Sequence, residues 1–500
     1  MQPGRFLTAV LAAQVVGVGC GTLPACPAHG GPAWREVISE HFVVRTDLAP
    51  DDATRITRVL EESRAAMLAT VWSNRPGPPG RIPVIALASP GELYAFTGPD
   101  IVGAWVHTPP FPETLILRDT PGGLEFAQHE LAHYLGHWAL PLQPDWFSDG
   151  LTWFLSTLKV DHDAGETIVG RVPTQLMARL ARISILPLGS LFGPRPSDPR
   201  ALADFEATSW LLFEYLFSKR PAALARFQDR LRAWQRPPDA WAAEFGDLTQ
   251  QRLADELYEY KSFGQGKLAR FPAVSCTAPL ESRPVVDAEV HGLRAFMYAY
   301  ASGSGRPALD DARREVAEAR REDPTSVGAG AVAFYALGER SQTDREARAE
   351  RIAAAHPEAW MSWLMLADAS DTTRAARRTA LTRALALAPD QPDVAAHFAD
   401  LKAAEQAWDE ALKFSNKAVR LELLNAGTMR THIQALLHTG GCDEAMRFGD
   451  ALSDRLDAAA ATALRSAISA GQARCTEVAA RRSPTSAAPD AGEELPAPAR

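Results

Sequence analysis

The chain has 500 residues, 46% of them hydrophobic and 23% charged, an ordinary globular composition in an amount that predicts two or three domains. Its net charge is −9 and no basic run stands out, which excludes nucleic acid as an expected partner.

The first 28 residues (1–28) read as an export signal rather than as part of the fold. Arg5 supplies a positive start, and Phe6 to Gly19 form an apolar stretch too short to span a bilayer comfortably. Two exits are open. Cleavage before Cys20, behind the small Gly19, makes a lipoprotein with its anchor at Cys20. Cleavage after Ala25-Cys26-Pro27-Ala28 releases a soluble protein. Either route predicts an exported protein: periplasmic, secreted or lipid-anchored to the cell envelope. Lipidation of Cys20 would leave Cys26, Cys276, Cys442 and Cys475, of which the last two share a C-terminal module and form the expected disulfide. No C-x-x-C spacing occurs, so zinc-ribbon and thioredoxin-like readings are set aside.

Residues 34–120 predict an α/β subdomain. Two short strands fall within 34–47, and Pro50-Asp51-Asp52 opens a helix to about Trp72, with proline in the first turn and acids at its positive end. Arg81 to Leu87 reads as a strand, and Ser89-Pro90 caps a short helix. Ile101 to His107 and Thr114 to Arg118 read as strands joined by the turn Pro109-Pro110-Phe111-Pro112.

Residues 121–265 read as a helical subdomain. Leu124, Phe126, Leu131 and Leu135 recur at helical spacing around His129-Glu130-Leu131-Ala132-His133. On a helix His129 and His133 stand one turn apart on one face, so both imidazoles can reach one ion, with Glu130 beside them to take a proton from a bound water. A chance match and a metal held only for structure are the bland alternatives. A catalytic zinc needs a third protein ligand. Gly136 fits an H-E-x-x-H-x-x-G-x-x-H pattern, but Ala139 stands where its last histidine would be. His137 lies about 12 Å along the helix from His129 and could join only across a break at Gly136. Asp149, in Pro144-Asp145-Trp146-Phe147-Ser148-Asp149-Gly150-Leu151, begins a second helix folded back on the first, and it is the expected third ligand.

This pairing of H-E-x-x-H with P-x-W-x-x-(acid)-G-L resembles the gluzincin, or peptidase MA-like, zinc metallopeptidases, in particular bacterial members of unknown function that carry tetratricopeptide repeats. The layout is similar over roughly 35–265, and the two helices are its specific part. The resemblance implies Zn2+ held by His129 and His133, Glu130 as general base, and a cleft wall formed by the 101–118 strand pair. The family's third ligand is Glu, where this chain has Asp149. Gluzincins also use a downstream Tyr or His to hold the oxyanion. On the helix Ala203 to Ser218, where Phe205 replaces the family's tyrosine, Tyr215 is the candidate, with a core aromatic as the other reading.

Residues 266–286, rich in Gly and Pro, read as a linker. Beyond it Pro324, Pro357 and Pro389 recur about every 33 residues, and Trp408-Asp409-Glu410-Ala411-Leu412 returns as Cys442-Asp443-Glu444-Ala445-Met446. Ala384, Leu385 and Ala418 take the small and apolar places of a second repeat helix. Residues 287–480 thus resemble four or five degenerate tetratricopeptide repeats, and residues 481–500 a disordered tail. The expected fold class is an α+β gluzincin-like peptidase domain followed by an all-α, tetratricopeptide-like solenoid. The expected function is an exported zinc metallopeptidase acting on a peptide or protein substrate, with the repeats binding substrate or a protein partner. The rival is a decayed peptidase fold kept as a binding scaffold.

Overall fold

The computed structural model describes residues 26–482 apart from 74, 98–102, 109, 119–122, 183–184, 265–267, 277–278, 301–307, 339–341, 370–373, 421–425 and 457. The export signal up to Ala25, with Cys20, and the tail from 483 lie outside the described residues.

The N-terminal part is built on strands β1 (Arg35–Ile38), β2 (Phe42–Thr46), β3 (Ile82–Leu87), β4 (Gly103–Thr108) and β5 (Phe111–Arg118), with helices α1 (Pro50–Val71) and α2 (Pro90–Thr97) between them. A late strand, β9 (Glu281–Pro284), completes a six-stranded mixed sheet in the order β4-β5-β3-β2-β1-β9. Alternation along the strands explains its two covered faces. Val84, Ala86, Leu115 and Leu117 pack with α1 and with α3 (Gly123–Ala139). Ile85, Leu87 and Ile116 point the other way and join a second core with Leu93 and Phe96 of α2.

After α3, helix α4 (Asp145–Ser156) is buried on nearly every side, with Trp146, Phe147, Leu151, Phe154 and Leu155 all enclosed. Such a helix belongs in a core. It is sandwiched between α3 and α7 (Pro199–Lys219), which starts at the side-chain cap Asp198. The short helices α5 (Thr174–Leu180) and α6 (Leu188–Leu191) precede α7, and α8 (Pro221–Arg232), α9 (Pro237–Phe245) and α10 (Gln250–Glu259) follow it. Two expectations are corrected here. Residues 145–265 are not helical throughout: β6 (Lys159–Asp161) and β7 (Glu166–Val169) form a hairpin, with Gly165 at φ +66° before the β-branched run Thr167-Ile168-Val169. Residues 266–286 are not a plain linker, because β8 (Ala269–Pro272) pairs with β7 and β9 covers the otherwise open edge of β1. Arg283 of β9 is held there by Glu36, 2.7 Å from Nε.

The remainder is helical: α11 (Asp287–Tyr300), α12 (Leu309–Glu322), α13 (Val327–Tyr335), α14 (Gln342–Ala355), α15 (Trp360–Ala369), α16 (Arg374–Leu387), α17 (Pro392–Ala404), α18 (Trp408–Ala418), α19 (Ala426–Thr439), α20 (Cys442–Ser453) and α21 (Ala458–Arg482). They stack as five sequential pairs and a closing helix. Pro324, Pro357 and Pro389 each fall in the turn after the second helix of a pair, and Ala384 and Ala418 are buried where neighbouring helices meet. A disulfide joins Cys442 to Cys475, with the Cα atoms 5.7 Å apart, so the first turn of α20 is tied to α21.

Both ends of the array dock on the rest of the chain. Helices α11, α12 and α13 share the second core with the sheet. At the other end Trp234 meets Phe448, Leu142 enters the core of the last helices, and Arg236 forms a paired ion bridge to Asp454 at 2.9 and 3.1 Å. No described helix is long and apolar enough to cross a membrane.

Candidate metal centre

His129 and His133 sit on the face of α3 that meets α4 and the edge strand β4. Their Nε2 atoms are 3.2 Å apart. Two zinc–nitrogen bonds of 2.0–2.1 Å at a tetrahedral angle bring their nitrogens to about 3.3 Å, so the pair fits that ion. Around them, Trp153 packs on the His129 ring at 4.4 Å, and Trp105 of β4 lies parallel to the His133 ring at 6.2 Å. Ser148 Oγ lies 3.4 Å from His133 Nδ1, where it can fix the tautomer that leaves Nε2 as a ligand. Nδ1 of His129 is buried without a protein partner.

The surroundings keep both imidazoles neutral, the form that binds metal. Burial, helped by the Arg195 charge, pushes His129 down to about 3. Burial, the neighbouring His129 and Arg195 push His133 well below its ordinary value. Glu130 is pushed up to about 7 by burial, against a hydrogen bond from the Trp105 backbone and the charge of Arg195. A carboxyl balanced near neutrality suits a general base.

Asp149 is paired away from the histidines in this structure. Among the described residues, no set of three ligand atoms within 4.8 Å of one another includes the histidine pair. Asp149 instead accepts from Arg195 Nε at 2.9 Å, while Arg195 Nη2 donates to Glu206 at 2.8 Å. The reason is rotational. Ser148 is the residue of α4 turned toward His133, and Asp149, one position on and about 100° round the helix, faces Arg195. Its carboxyl is almost fully buried, and burial pushes it up to about 7 against the pull of Arg195. Gly150 lies on the face of α4 turned to α7. A Cβ there would stand 2.4 Å from the Ser209 carbonyl of α7, so the close approach is between α4 and α7. His137 rests against the Trp105 ring at 5.2 Å and lies outside any such ligand set.

Tyr215 is turned away from the histidines. Ser209 and Phe213 form the face of α7 that meets α4, and two residues beyond Phe213 is about 200° round the helix. Its hydroxyl donates to Glu256, and it lines a separate cleft of roughly 930 Å³ with Lys219, Arg220 and Arg252. Sequence reasoning missed Arg195, Glu206 and the ring of Trp105. Helical phase alone would have put Glu206 on the α4-facing side with Ser209, whereas Arg195 lies in an irregular loop that offers no such signal.

No protein-family model matches the chain, and no curated protein is significantly similar to it.

Proposed function

We propose that this chain is an exported zinc-dependent metallopeptidase-like hydrolase with a gluzincin-like α+β domain and a tetratricopeptide-like solenoid that receives substrate or a protein partner. The observation that carries the reading is the 3.2 Å convergence of His129 and His133 with Glu130 adjacent. His129 and His133 would hold the ion, and a bound zinc would supply a polarised water and stabilise charge on the scissile carbonyl. Glu130, adjacent in sequence to His129, would take the proton and return it to the leaving amine. Strand β4 is the outermost strand of its sheet, so an extended peptide can lie along it beside Trp105. The Cys442–Cys475 disulfide supports an oxidising compartment outside the cytosol.

One observation favours the second reading, a decayed fold serving as a scaffold: Arg195 occupies Asp149, the residue the third-ligand position requires. Two measurements decide. Changing His129 and His133 together to Ala should remove about one zinc per chain. Glu130→Gln should keep that zinc and lower peptidase turnover by roughly a hundredfold or more. Protein purified without chelators that carries no metal at the histidine pair would establish the scaffold.

A further inference from the structure

A second group of ligand-type side chains shares no residue with the first. Cys26, His29, His291 and Glu322 each offer one atom, and these atoms all lie within 4.8 Å of one another. Cys26 Sγ is 3.4 Å from His29 Nδ1 and 3.7 Å from His291 Nε2, and His291 Nε2 is 3.8 Å from Glu322 Oε1. Sulfur and nitrogen bound tetrahedrally to zinc, at about 2.3 and 2.0 Å, stand about 3.5 Å apart. The observed separations therefore fall where one ion would set them.

The setting of His291 is what a resident ion needs. Its other nitrogen, Nδ1, is 2.6 Å from Glu315 Oε2, which fixes the tautomer and aims Nε2 at Cys26. Glu315 is in turn held by Arg294 Nε at 2.9 Å, and Arg294, almost wholly buried, also pairs with Glu92. Cys26 and His291 are buried while His29 and Glu322 reach the surface, so the group has a buried floor and an open side for entry.

We propose that Cys26, His29, His291 and Glu322 form a structural site for a zinc-class divalent cation. Four protein donors leave no position for a substrate, so the site is closed and its role is a clasp. It fastens the segment around Cys26, which folds as a short turn over Pro27–His29, to α11 and to the last residue of α12. The site is independent of the histidine pair on α3.

Cobalt tells the two sites apart, because only this one contains sulfur. Adding Co2+ to the metal-free full chain should give a thiolate-to-cobalt charge-transfer band in the near ultraviolet. The band should persist when His129 and His133 are both Ala, and in Cys276→Ser. It should vanish in Cys26→Ser and in His291→Ala, each losing about one zinc per chain from the native protein. Should the buried substitutions disturb folding, as judged by helical circular dichroism, the surface variant His29→Ala reads the same site. It should bind Co2+ about tenfold more weakly or worse. No band in the unchanged chain, or a band that survives Cys26→Ser, overturns the proposal.

Discussion

The two histidine-bearing clusters are opposites in construction. One rests on a single helix turn, where His129 and His133 are four residues apart and their spacing announces itself. The other gathers Cys26 and His29 with His291, 265 residues on from Cys26, and with Glu322 beyond it. Among the described residues the announced cluster has no third ligand atom grouped with it, and Arg195 holds Asp149. The unannounced one has four donors and a carboxylate supporting its buried histidine. A motif thus reports only what one local element can place, and completeness depends on contacts that spacing does not encode.

The same contrast predicts what separating the domains would do. The second cluster straddles residues 266–286, and so does the core that joins Ile85, Leu87 and Ile116 to α11 and α13. A fragment of residues 26–286 would expose that sheet face and should be insoluble or molten, although it keeps every residue of the first cluster. The check is solubility and near-ultraviolet circular dichroism of the fragment against the full chain. A fragment that folds and melts cooperatively would show that the array is an appended module.

Much of the architecture was legible before any coordinates. The strands near 35–46 and 82–87, the helix from Pro50, the α3–α4 pair and the phase of the helical pairs all follow from local pattern and proline placement. What was not legible is long-range. The exposed β9 has no apolar alternation of its own and is a strand because β1 offers an edge. Cys26 stood in a stretch that read as a leader. A clasp at Cys26 needs that residue retained, which is incompatible with the expected cleavage after Ala28. For Asp149 the helix is legible, but which of its residues turns toward α3 depends on packing that spacing does not encode.

A buried carboxyl without a catalytic role provides a smaller test of how Glu130 should be read. Glu214 of α7 is fully buried and pushed up to about 7 by burial, against a hydrogen bond from Tyr260 at 2.7 Å and another from Ser218. Its folded pKa is raised above the unfolded value of 4.5. Its contribution to stability is therefore fully present below pH 4.5, falls as pH rises toward 7, and is gone above that. The loss is at most about 3 kcal/mol. Glu214→Gln imitates the protonated form. Relative to the unchanged chain, it should gain stability progressively between pH 4.5 and 7 and hold a constant advantage above. Denaturant titrations at pH 4.5, 6 and 8 read this directly. A difference that does not change with pH would mean that Glu214 ionises as an exposed carboxyl does. The raised value of Glu130 would then lose its nearest parallel.

The finest test asks whether the announced cluster can be made as complete as the other. Arg195 works against a cation there in two ways: it occupies Asp149, and its charge lies close enough to disfavour positive charge on both histidines. Arg195→Ala removes both effects and leaves a buried Asp149 carboxyl that burial keeps protonated until a nearby cation takes the place of its proton. Zinc affinity of the histidine pair, measured by chelator competition in a Cys26→Ser background so that the sulfur site is silent, should rise by about tenfold. Adding Asp149→Ala should abolish most of that gain, since the second effect alone acts through exposed, screened charge. If Arg195→Ala leaves the affinity unchanged, Asp149 does not reach the ion even when released. If the gain survives Asp149→Ala in full, the charge of Arg195 was the whole obstacle, and the third ligand is water or substrate rather than this aspartate.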